Sequence, residues 1–387
     1  MSDYADHYSS LLSSPGQIGL CQQAQTLTDL LACIKQLWHC QHLDDDELLG
    51  EISRLNVTPV AIDSLRLAGH WLPYRYQPDK KQVNWLIPTG HATEPFQDET
   101  ISRYRQQLFN QIIQPCTSVA FAQQQAEKLT DAIPSGFIFH LSRCGSTLIS
   151  GCLSELNSTC VFSESPLLTA LLLDAGLSPE QQGVLLRSFI NLQAAAFPDR
   201  PQLVIKWNAW DIFRWELIRS VYPQVPAIFL VRDPVEILAS HQRIAGWHMA
   251  GDTRLASIHP ALASTNAAQS LLSRRSQVLA ALLAEMNKYK KNLAVLSVDY
   301  SSLDAACIRA ICQYFGIFPT QEWFVGMMRR LAFHSKMPGV VFADDSSAKQ
   351  TQFSDLEKAS IHALLMPLYK QFLNTDSGDF KKAMHES

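Results

Sequence analysis

The stretch FIFHLSRCGSTLIS, residues 137–150, decides how the chain is read. It opens on an apolar and aromatic run interrupted only by His140, the composition of a strand buried on both faces. Its centre switches to Arg143, Cys144, Gly145, Ser146 and Thr147, and apolar spacing then resumes. A strand that runs through a glycine turn into a helix gathers backbone N–H groups and the positive end of the helix dipole around one point. Such a point holds phosphate. Gly145 lets the backbone approach an anion closely, Ser146 and Thr147 offer hydroxyl donors, and Arg143 adds a charged fork. The nucleotide-triphosphate pattern GxxxxGK[ST] does not fit, because His140 stands at its first glycine and Ser146 at its lysine.

Outward from this stretch the pattern is regular. CVFSE (160–164), LVIKW (203–207), AIFLVR (227–232) and LAVLSV (293–298) read as further buried strands separated by helical segments. The fold class expected is therefore α/β, a parallel sheet covered by helices on both faces. Ligands of such sheets sit beyond the carboxyl ends of the strands. There the chain places Ser142, Arg143, Glu164, Lys206, Arg232, Asp233 and Asp299.

Two motifs in order give this reading a family. Residues 143–147 resemble the 5′-phosphosulfate loop of the sulfotransferases, written Pro-Lys/Arg-Ser-Gly-Thr-Thr, with Ser142 in place of the proline. In IFLVRDPVEILASHQR (228–243), Ser240 follows Arg232 by eight residues, a spacing similar to that family's 3′-phosphate site. The segment 293–317 is similar to the strand, turn and helix that close the family's sheet. The resemblance covers about residues 136–316, and weakly extends to 350. It implies a P-loop-like architecture that takes 3′-phosphoadenosine-5′-phosphosulfate (PAPS) as cosubstrate, with no metal required. It further implies cofactor contacts from Arg143, Cys144, Gly145, Ser146, Thr147, Arg232 and Ser240, and from Lys336 and Lys349 in the loop over the 3′-phosphate. Lys206 takes the place of the lysine that neutralises the leaving oxygen. The base differs between branches: the cytosolic enzymes carry a histidine where this chain has Asn208, whereas Glu164 stands where tyrosylprotein sulfotransferases place a glutamate. Arg143, Lys206 and Glu164 are thus the expected catalytic set, closer to the tyrosylprotein and bacterial type. His140 reads as a core histidine.

The implied acceptor is a hydroxyl, or secondarily an amine, on a small metabolite or a peptide. Glu164, the 244–267 region containing GWHMAGD and some N-terminal aromatics are expected to surround it. Two alternatives stay open: a non-catalytic nucleotide-binding module, and a Mg²⁺-dependent small-molecule kinase with Asp233 as metal ligand.

The bulk numbers set the bounds. At 387 residues, 47% apolar and 18% charged, the chain reads as an ordinary globular protein. A net charge of −4 supplies no basic field for nucleic acid or anionic membrane. No secretory leader is evident, and nine scattered cysteines without a CxxC pair suit a reducing compartment, so a cytoplasmic location is expected. HCQH (39–42) lacks a second ligand pair at zinc spacing. Residues 1–130 are expected to form a mainly helical region, with apolar residues from Leu27 to Trp38 at helical spacing and an irregular segment over 69–105; residues 131–387 are expected to form the α/β domain. A capping box from Ser354 to Glu357 starts a final helix.

Overall fold

The computed structural model describes residues 4–60, 70–263, 269–331 and 349–374. Two compact units result: Met1–Ala92, Gln97–Ala132 and Ser165–Pro201 form the first, and Thr93–Phe96, Ile133–Glu164 and Gln202–Ser387 the second.

In the first unit the N-terminal helices run Tyr4–Ser13, Pro15–Gln22, Leu27–Leu37 and Asp45–Val57. Leu30, Leu31 and Ile34 are the buried stripe of the third. Reciprocal capping boxes, Thr26 with Asp29 and Asp44 with Glu47, fix the starts of the third and fourth. The segment expected to be irregular instead supplies β1 (Leu72–Gln77) and β2 (Gln82–Leu86), which form an antiparallel sheet with β3 (Cys116–Ser118) beyond it. Lys81 takes a left-handed conformation, φ 50°, at the end of the turn between β1 and β2. An irregularity between Pro73 and Arg75 breaks the strict alternation that signals a strand, which hid the hairpin from a sequence reading. Indole N–H groups fasten this unit: Trp71 donates to the Leu12 carbonyl and Trp85 to the Thr117 hydroxyl, each at 2.9 Å.

The boundary differs from a single cut near residue 130, because the helices Pro166–Leu172 and Pro179–Ala195 also pack into the first unit. Buried Gln193 of the second donates to the Pro73 carbonyl at 3.2 Å. A helix between two strands of one sheet reads as that sheet's own cover, and nothing in its local pattern reports a different partner.

The second unit is built on a five-stranded parallel sheet of β4 (Gly136–His140), β5 (Thr159–Ser163), β6 (Gln202–Lys206), β7 (Ala227–Val231) and β8 (Val295–Asp299). Its order is β5-β6-β4-β7-β8. Alternation assigns the faces. Ile138, Val204, Ile228, Leu230 and Val298 pack with the helices Ser146–Ser154, Ala305–Tyr314 and Gln321–Leu331. Phe137, Phe139 and Phe229 point the other way, into an aromatic cluster with Trp207, Trp215 and Tyr222. Both faces are covered, as an all-parallel sheet requires. Each large apolar side chain buried this completely contributes roughly 1.5–3 kcal/mol.

The chain moves from β4 outward to β5, returns to β6, then crosses β4 to reach β7, so the direction of winding reverses at the centre of the sheet. Pairing of Ser163 with Lys206, His140 with Leu230 and Val231 with Asp299 brings the polar strand ends to one edge. The final helix, Asp355–Leu373, starts at the expected reciprocal capping box of Ser354 and Glu357. Among the described residues no helix is long and apolar enough to cross a membrane.

Candidate functional site

Beyond β4 the backbone turns left-handed at Ser142, Arg143 and Gly145, with φ of 64°, 54° and 87°. For Ser142 and Arg143 this conformation is costly, and such strain gathers at binding sites. At Gly145 it is obligatory, because a Cβ there would lie 2.8 Å from the Tyr300 ring. Gly145 is also the N-cap of the helix Ser146–Ser154 and provides no side-chain cap. The first N–H groups of that helix lack intrahelical partners by construction, so the turn offers an anion both dipole and donors. Cys144 turns inward instead: its thiol donates to the Leu230 carbonyl at 3.3 Å, and burial pushes its pKa up to about 12. Only its backbone faces the turn's chemistry. The Arg143 guanidinium donates to the Ile244 carbonyl at 2.7 Å, so the expected charged fork is partly engaged by the chain itself. Burial, then nearby Arg243, lowers its pKa.

Beside the turn stands a charged cluster. The Lys206 ammonium, fully buried at the end of β6, lies 3.3 Å from the Thr147 hydroxyl and 2.9 Å from a carboxylate oxygen of Glu164. Its Nζ also sits 4.6 Å from the centre of the Phe96 ring. Glu164 is itself left-handed, φ 54°, and its N–H continues the β5–β6 ladder by donating to the Lys206 carbonyl at 2.7 Å. Burial alone would raise its pKa. The Lys206 ammonium and the His140 ring outweigh burial and hold the carboxyl well below the usual carboxylate range.

His140 is buried in its strand, as expected of a core histidine, and its ring also bears on the turn. Its Nδ1 accepts the Ser142 N–H at 2.9 Å, which in the neutral ring leaves the proton on Nε2, 3.5 Å from the Glu164 carboxylate. One imidazole thus ties the strained turn to the carboxylate.

The second motif lies against the first. Arg232 donates to the Arg143 carbonyl at 3.5 Å, and its guanidinium carbon stacks 4.0 Å from the centre of the Tyr300 ring, the same ring that meets Gly145. Arg232 also pairs with Glu236, donating from Nε at 2.6 Å. Ser240, one turn further on, donates to the Glu236 carbonyl at 2.9 Å. Asp233 caps the helix Pro234–Arg243 through the N–H groups of Val235 and Glu236, at 2.9 and 3.2 Å. Asn208 is bound to buried Asp211, which accepts its N–H at 2.8 Å and its side-chain amide at 2.9 Å. Burial, partly offset by those bonds, raises the Asp211 pKa to about 7.

Of the expected lysines, Lys349 is described and buried, and the adjacent Gln350 donates to Asp233 at 3.4 Å. Lys336 lies outside the described residues. Sequence reasoning used Tyr300 as fold support only and passed over Phe96, because an aromatic ring near a charged side chain leaves no spacing signal.

No protein-family model matches the sequence, and no curated protein does. Comparison with solved structures finds similarity to sulfotransferases. Sulfotransferase STF9 from Mycobacterium avium is 12% identical, with 86% of this chain and 96% of that one covered and a TM-score of 0.42. Mouse sulfotransferase SULT7A1, complexed with PAP, is 11% identical, with 69% and 94% covered and a TM-score of 0.39. A sulfotransferase from Alicyclobacillus acidocaldarius is 13% identical, with 62% and 94% covered and a TM-score of 0.38.

Proposed function

We propose that the chain is a sulfotransferase that moves a sulfuryl group from PAPS to an acceptor hydroxyl, or secondarily an amine, of a small metabolite or peptide. The observation that carries this reading is the buried Lys206, held between the Thr147 hydroxyl of the anion-binding turn and the Glu164 carboxylate. A cation between a donor-rich turn and a base is what in-line transfer off a phosphate leaving group requires. The residues fit PAPS: the left-handed turn with its uncapped helix suits the 5′ end, with Arg143, Ser146 and Thr147 as side-chain donors and Cys144 and Gly145 contributing backbone. Arg232 and Ser240 would take the 3′-phosphate, with Arg232 giving it the edge now shared with Glu236. Lys349 and Lys336 are assigned to the same phosphate.

When bound, PAPS supplies the sulfuryl group on a phosphate leaving group. Lys206 then donates to the oxygen on which charge develops. Turning to that oxygen takes Lys206 off Glu164 and removes one of the two groups that depress its pKa, so burial, opposed now by His140 alone, raises the carboxyl from its depressed value. Glu164 becomes basic as the acceptor presents its proton. His140 holds the carboxylate in place through Nε2.

The kinase alternative is disfavoured by Asp233, whose carboxylate oxygen is committed to capping a helix. Thermal shift with 3′-phosphoadenosine-5′-phosphate (PAP) against ATP, with and without Mg²⁺, tests the assignment. Stabilisation by PAP alone is expected, and indifference to PAP at millimolar levels would overturn it. PAP binding without any sulfated product would identify the non-catalytic module.

A further inference from the structure

We propose that His248 orients the acceptor by donating a hydrogen bond to its reacting atom, and that this bond narrows the acceptors left open above to hydroxyls and rules out the secondary amine reading. The inference rests on the sulfotransferase reading above and deepens it.

His248 belongs to the short helix Trp247–Ala250, which starts after Gly246. It is 3% exposed, and among the described residues neither ring nitrogen has a hydrogen-bond partner. Buried polar atoms are almost always paired, so two such nitrogens on one ring need an explanation. The ring's position supplies it. The ring centre lies 5.7 Å from that of Trp210, four residues beyond Lys206, and 5.5 Å from that of His241, and Arg143 of the turn donates to the Ile244 carbonyl, four residues before His248, so the ring stands beside the segments that carry the catalytic cluster. Two more buried atoms without partners among the described residues, the Trp210 indole nitrogen and one Asp211 carboxylate oxygen, come from the segment just after Lys206. Unsatisfied donors and acceptors thus meet where His248 packs against the segment that follows Lys206, with room made for the imidazole by Gly246: a Cβ there would stand 3.1 Å from His248 Cε1.

Burial, then the neighbouring His140 and Arg143, lowers the His248 pKa to about 3 against the opposing pull of Glu164. The ring is therefore neutral near pH 7, with one N–H donor and one acceptor nitrogen. An alcohol oxygen has two lone pairs and one proton. One pair takes the His248 N–H, the other forms the bond to sulfur, and the O–H proton passes to Glu164 as the sulfur–oxygen bond to phosphate breaks. A neutral amine has a single lone pair. If it accepts from His248, none remains for sulfur; if it is protonated, it has none at all.

The test uses PAPS with two matched probes, 2-phenylethanol and 2-phenylethylamine, and measures sulfated product by mass spectrometry. Wild type is expected to sulfate the alcohol and to leave the amine essentially untouched. His248→Phe, which keeps a ring but removes both nitrogens, should lower kcat/KM for the alcohol about tenfold or more and narrow the alcohol-to-amine ratio, with stabilisation by PAP retained. His248→Asn, which restores an N–H donor, should recover part of both. Should His248→Phe lose PAP stabilisation, His248→Ala decides by the same ratio. Equal transfer to amine and alcohol, an unchanged ratio in the variant, or no transfer to either probe by a PAP-binding wild type would each overturn the proposal. Failure of wild type to bind PAP would instead overturn the sulfotransferase reading beneath it.

Discussion

Lys206 and Glu164 stabilise each other's charge. Taking a fully buried ammonium out of water is costly, and the partly exposed Glu164 carboxylate at 2.9 Å offsets that cost. Lys206→Ala is expected to slow turnover by roughly 10²–10³ while PAP still raises the melting temperature, as for a donor whose interaction strengthens in the transition state. Full turnover in that variant would remove Lys206 from the chemistry. Asp211 makes an opposite kind of prediction. Its folded pKa of about 7 lies above its unfolded value, so between them the folded state binds more protons. Stability from this group is fully present below about pH 4 and is lost as pH rises through 7. Asp211→Asn keeps an oxygen for the Asn208 donors and should flatten the decline in melting temperature between pH 5 and 8. An unchanged slope would show that Asp211 does not titrate there.

At the scale of the element, the strand, turn and helix over 136–154 act as one device. Three left-handed residues aim the turn, and Tyr300 packs against Gly145 while stacking on Arg232. Gly145→Ala adds the cost of a left-handed non-glycine residue, about 1–2 kcal/mol, and drives a methyl into that ring. The variant is expected to fold with reduced stability and to lose stabilisation by PAP, since Arg232 moves with the ring. Retained PAP binding, measured by calorimetry, would mean that the turn is not the anion site. From the sequence, the region around Gly246 is expected only to border the acceptor. The His248 ring, without a hydrogen-bond partner among the described residues, emerges only once His241 and Trp210 are packed near it.

For the whole molecule, binding of PAP should slow amide exchange over 142–147 and 232–240, in the second unit, and leave β1 to β3 unchanged. Protection spread evenly over both units would argue for global stabilisation without a localised site. Sequence alone determined the parallel sheet, its strands, the glycine turn into the helix at 146–154, the Arg232–Ser240 helix and the ends of several helices, because buried strands, glycine turns and caps are written in short-range pattern. Tertiary structure alone decided that His140 faces Glu164, that Tyr300 joins the two motifs, that 165–201 packs with the first unit, and that Cys144 turns inward. Those facts depend on which distant residues share one volume, and no local periodicity carries that information.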